Sequence, residues 1–256
     1  DEEDRRIFYG SDEYVEQLMR AGRSDLAFET QVDTLKELRM QADMERHRSE
    51  AMQEHLIQLA SIYHRLGRHA DVLTLLETAP WWGVADLASI ELNTYRGYTP
   101  LHQMAAAALA DAGRNDEAVA IVRAIIIQEG GYDPAYALLV KLQGAEAEPF
   151  LRSVFERDQF EERPLIWLGV LKLQQKKVDE AQALLQQAIS SDPSDGEQGK
   201  GDRMRVYAVL ADVMAAKGDK DQEKFLRDVV RAIRMSEDAD DLHEAGLLRE
   251  AIDLYL

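Results

Sequence analysis

The chain has 256 residues, 46% of them hydrophobic and 30% charged, a balance that suits a folded chain and excludes a disordered one. Its formal net charge of -18 argues against nucleic acid, because phosphate binding needs clustered Lys and Arg, while a basic partner would be drawn by the field. With no cysteine there is no disulfide, no thiolate metal site and no cysteine nucleophile.

The chain begins at Asp1 with no signal-like segment, as a trimmed or mature product would, and no compartment is read from it. The first predicted turn is Ala21-Gly22-Arg23, between helices expected over 12–21 and 24–40. Leu56, Leu59, Ala60 and Tyr63 then form an apolar stripe at helical spacing, which ends at the turn Leu66-Gly67-Arg68. Residues from Trp81 to Tyr98 read as an insertion carrying a helix over 84–92. A third turn is Ala112-Gly113-Arg114. The apolar run from Ala118 to Ile127 follows it, broken by Arg123 and far short of the roughly 18 residues of a membrane span. The fourth turn is Gln143-Gly144-Ala145, and the fifth carries Lys176-Lys177. A second insertion runs from Ser194 to Asp202, ahead of a stripe of Val206, Val209, Leu210, Val213 and Met214. Lys217-Gly218-Asp219 and Ala245-Gly246-Leu247 are the sixth and seventh turns. Glycine suits these places because a helix ends most easily on a residue in the left-handed region. Pro80, Pro100, Pro134, Pro164 and Pro193 fall where helices should start or stop. No segment alternates as a strand would, so the chain is expected to be all-α.

Leu168 and Gly169 on one helix, then Ala181, Ala188 and Pro193 on and after the next, resemble one unit of the tetratricopeptide repeat family. That unit departs from the family pattern at Leu165, Lys172, Lys176 and Leu185, where Trp, Tyr, Gly and an aromatic are usual. Leu59, Ala60, Tyr63, Gly67 and Ala79 carry the likeness in the second unit, Gly113 and Ala118 in the third, and Gly246, Ala251 and Tyr255 in the seventh. The first and fourth units match poorly; Pro149 stands where a helical alanine is expected. The resemblance implies a right-handed superhelix, a solenoid of antiparallel helix hairpins. Residues 1–256 would form a single array of about six and a half irregular pairs, truncated at the C-terminus, since Ile252, Leu254, Tyr255 and Leu256 do not make a polar cap.

First helices of such repeats line a concave groove, and in some members Lys and Asn there clamp a peptide carboxylate. The matching positions are Ile57 and Ser61, Gln103 and Ala107, Pro134 and Leu138, Ile166 and Val170, and Ala208 and Asp212, none of them Lys or Asn. Capture of chaperone tails is therefore not expected. The groove of units four and five reads as apolar instead, through Leu138, Leu142, Ile166, Val170 and Leu173. With Ile57, Ser61, Gln103 and Asp212 these are the candidate partner-binding residues, unless neighbouring helices already cover them. Trp81 and Trp82 form an aromatic platform or pack beneath the insertion that follows. His64 and His69 flank the Gly67 turn without metal-ligand spacing. Asp192, Asp195 and Glu197 lack the spacing of a calcium loop, and Glu237, Asp238, Asp240 and Asp241 are expected to begin a helix. No nucleophile elbow, phosphate loop or dinucleotide fingerprint is present, so neither catalysis, cofactor nor metal is expected. The leading expectation is a non-catalytic scaffold for a protein or peptide partner with an apolar segment. The alternatives are a docking or structural region of a larger enzyme, and a module that self-associates through the end near Leu256.

Overall fold

Several helices among the described residues stop where a residue turns left-handed. At Gly113 φ is 78°, and the turn is closed by Gly113 N–H donating to Ala110 O at 3.0 Å and Arg114 N–H donating to Leu109 O at 2.9 Å. Lys176 makes the same closure with a side chain in place, at φ 62°, its N–H on Leu173 O and that of Lys177 on Lys172 O, both at 2.9 Å. Both turns therefore have the bonding of a Schellman stop, which satisfies carbonyls that a helix end leaves orphaned.

A computed structural model of the chain describes residues 15, 18–20, 22–31, 58–78, 99–191, 202–244, 249 and 251–252. It divides into two compact units, Asp1–Gln128 and Glu129–Leu256. The described residues are all-α, in helical hairpins of tetratricopeptide-like solenoid type. No helix among them is long and apolar enough to cross a membrane.

In the first unit, helical segments 24–31 and 58–65 precede α1 (His69–Thr78), α2 (Thr99–Asp111) and α3 (Asn115–Gln128). Alanine lets these helices approach, and Ala27, Ala60, Ala106 and Ala118 have no accessible surface. Leu59, Leu76, Leu109, Ile125 and Ile126 fill the space between them.

The second unit contains α4 (Asp133–Gln143), a short 3-10 turn, α5 (Glu148–Arg157), α6 (Arg163–Gln174), α7 (Val178–Ser191), α8 (Asp202–Lys217) and α9 (Lys220–Glu244). Proline stands in the first turn of α4, α5 and α6, where its missing N–H costs nothing. Pro149, a misfit to the family pattern, thus serves as a helix start. The packed pairs are α6 with α7 and α8 with α9; α6 also touches α4, α5 and α8. Tyr136, Leu139, Leu151, Ile166, Leu168, Leu171 and Leu185 fill this core.

One expectation is corrected here. The acidic cluster of Glu237, Asp238, Asp240 and Asp241 does not begin a helix but lies in the last two turns of α9, which runs unbroken for 25 residues. Neither glycine nor proline interrupts the sequence between Gly218 and Gly246, so Ser236, a possible cap, is simply passed over. Arg234 Nε contacts Met204 Sδ near the start of α8, which places the acidic turns beyond that helix. Trp81, Trp82, Ile57, Gly246 and Leu256, the helix expected over 84–92, and Asp192, Asp195 and Glu197 lie outside the described residues.

Candidate functional site

Gly169 sets the spacing of the α6–α7 hairpin. A Cβ there would stand 2.9 Å from Leu185 Cγ and 3.0 Å from Leu185 Cδ2, so only glycine leaves room for that leucine. Ala181, Leu185 and Ala188 are buried on the facing side of α7, and Leu168 is buried on α6. The residues that carry the family likeness therefore interlock as one packing unit.

Successive helical residues are about 100° apart, so Trp167 points nearly opposite to Gly169, away from α7. Its Nε1–H donates to Asp133 Oδ1 at 2.8 Å, at the start of α4. Arg205 of α8 places Nη2 2.8 Å from Asp133 Oδ2 and its guanidinium 5.2 Å from the Trp167 ring centroid. One carboxylate thus ties α4, α6 and α8 together, satisfying an indole N–H that would otherwise be buried unpaired. Asp133→Ala should cost about 1–2 kcal/mol of stability, since it strands that N–H and a half-exposed guanidinium. Denaturant titration would measure this; Trp167→Phe in the Asp133→Ala background should then change little more.

Towards the C-terminal end of α6, on the arc between Gly169 and Trp167, Val170 and Leu173 are half-buried and Gln174 is exposed. Asp212 is exposed on α8, where Arg227 of α9 donates to it at 3.1 Å, and Leu142 is half-buried on α4. Two other groove candidates are corrected. Ile166 is 0% exposed and Leu138 8%, because the neighbouring helices close over them, and these side chains belong to the core. In the first unit Ser61 and Gln103 are half-buried.

Lys172, which replaces the family's tyrosine, is 4% exposed. Its ammonium donates to both oxygens of Glu148, at 2.9 and 2.8 Å, and lies 3.5 Å from Glu180 on α7. Arg152 donates to the same carboxylate at 2.7 Å. Hydrogen bonds from Lys172 first and Arg152 second hold the Glu148 carboxyl below its usual range, against a smaller opposing effect of burial. The pair fastens α5 to α6 with charge where a phenol would do so by packing. Among the described residues no group of three or more His, Asp or Glu is arranged to hold a metal ion.

Residues 163–195 match the tetratricopeptide repeat family. This segment is α6, α7 and the four residues after them. No curated protein matches the chain. Among solved structures it is similar to a tetratricopeptide repeat protein from Parabacteroides merdae, at 14% identity over 98% of this chain and 91% of that one, with a TM-score of 0.48. It is also similar to BtubC (BKLC) from P. vanneervenii, at 19% identity over 84% of this chain and 92% of that one, with a TM-score of 0.52. The latter likeness shows a shared helical fold.

Proposed function

We propose, for a chain assigned to the tetratricopeptide repeat family through its 163–195 unit, that it is a non-catalytic scaffold holding a segment of a protein partner along α4, α6 and α8. Tetratricopeptide repeats generally mediate protein–protein interaction, and proteins built from them are typically non-catalytic. The observation that carries the finer reading is the half-buried arc of Val170 and Leu173 on α6, beside Leu142 on α4 and the exposed Arg205 and Asp212 on α8. Half-burial leaves apolar surface to cover, and Trp167, Asp133 and Arg205 hold the three helices in register before a partner arrives.

The test replaces Val170 and Leu173 by Asp, with Ile189→Asp on the exposed side of α7 as control. Buried Leu138 and Ile166 are avoided because a charge there would unfold the unit. Loss of partner recovery in the double variant alone, with helicity intact, is the expected result. Equal recovery from all three proteins would contradict the assignment of this face.

A further inference from the structure

The edge of the first unit where hairpins turn carries two stacked histidines. His64 lies in the last turn of the helical segment 58–65, and His69 opens α1 just beyond the Leu66-Gly67-Arg68 turn. Their rings lie 25° from parallel with centroids 5.0 Å apart. Across the second ring, His69 Nδ1 is hydrogen-bonded to Asp111 Oδ2, on the last residue of α2. His64 Nδ1 is buried with no hydrogen-bond partner. Three helical elements thus meet through one ring stack and one carboxylate.

Other charged groups nearby are already engaged. Arg68 holds Asp71 at 2.8 Å and lies over the rings of Phe28 and Tyr63. From segment 24–31 the group packed at this turn is Phe28, which does not titrate and lies edge-on to Tyr63. Arg114, just before α3, and Glu117 in its first turn are paired with each other at 2.7 Å. Asp111 of α2 is the carboxylate that acts on the stack, and it is bound to the far ring.

We propose that this edge is a proton-sensitive latch. While His64 is neutral, the stack and the Asp111 bond fasten the 58–78 hairpin to α2; protonation of His64 releases it. The added proton would create a cation on a half-buried ring with no acceptor at its buried Nδ1, stacked against a ring that Asp111 already occupies. Burial first and the neighbouring His69 second push the His64 imidazole below its usual range, with Asp111 opposing. An opened hairpin takes up that proton more readily than a closed one. The latch is therefore complete above the ordinary histidine value of about 6.5 and weakens as pH falls below it. This inference is independent of the partner-binding face.

Hydrogen exchange of the full chain at pH 7.5 and 5.0, corrected for intrinsic rates, tests it. Peptides over 58–78 should lose at least about threefold more protection at pH 5.0 than those of α6 and α7. His64→Phe, which keeps a stacked ring without a proton site, should retain protection at pH 7.5 and lose the acid effect. Equal behaviour of 58–78 and the α6–α7 peptides, or an undiminished acid effect in His64→Phe, would overturn the latch. Should that variant not fold, the imidazole NMR titration of His64 in the unaltered chain decides. A midpoint below the ordinary histidine value supports the latch, and one at or above it overturns it.

Discussion

Replacing Glu148 by alanine is expected to destabilise the second unit by about 2–3 kcal/mol, more than any surface ion pair in the chain would. The reason is what remains behind. Lys172 stays buried, and its next carboxylate, on Glu180, lies 3.5 Å away at an exposed position. Removing Glu148 leaves a buried charge with only that longer, exposed contact, which costs more than the intact pair contributes. Replacing Lys172 itself by methionine or tyrosine should therefore be nearly neutral, or stabilising by up to about 2 kcal/mol, because charge and desolvation leave together. Denaturant unfolding followed by helicity measures all three variants. A loss under about 0.5 kcal/mol in Glu148→Ala would mean that water reaches the ammonium. The pH arm has a definite sign. The folded Glu148 carboxyl is held below its usual range, so its contribution is complete above about 4.5 and disappears as pH falls further, through the folded value. Glu148→Gln should flatten that acid slope.

The second large effect lies at the α6–α7 contact. Leu185→Ala should cost about 2–5 kcal/mol, since the side chain is fully buried against a glycine that offers no atoms to refill the space. Gly169→Ala should cost about 1–2 kcal/mol, because its Cβ meets Leu185 Cγ at 2.9 Å, an overlap that outweighs the roughly 1 kcal/mol gained in helix propensity. The pair should not add: with Leu185 shortened, the new methyl fills part of the cavity, and the double variant should recover about 1–2 kcal/mol relative to the sum. Strict additivity would show that Gly169 is not there for Leu185.

This contact was legible in the sequence because it is local. A glycine inside an apolar helix, followed by alanines and leucine on the next, states a close helix approach within some twenty residues. The turns at Gly22, Gly67, Gly113, Gly144 and Gly218 were equally legible, as was that at Lys176, where side-chain chemistry did not favour the left-handed conformation but hairpin spacing demanded it. Burial was not. Leu138 and Ile166 occupy groove positions by spacing, yet whether such a residue is open depends on helices that begin about thirty residues away, and here they cover it. Trp167 drew no notice, because its acceptor, Asp133, lies 34 residues upstream. The available signal was general: a buried indole N–H needs a partner. Lys172 stood out as a departure from the family pattern, but nothing local pointed to Glu148, 24 residues before it. The α9 helix shows the reverse failure, in which Ser236 and the acids after it imitate a helix start inside a helix that continues.

The partner-binding claim meets its most direct test in site-specific photo-crosslinking of the full chain in its own cells. A photoreactive residue at Leu173, on the half-buried arc of α6, is compared with one at Gln187, exposed on α7. We predict that Leu173 yields a discrete crosslinked protein, that Gln187 yields none, and that Val170→Asp abolishes the product. The same crosslinked protein from both positions, or a Leu173 product indifferent to Val170→Asp, would contradict the assignment of α4, α6 and α8 as the face that holds the partner.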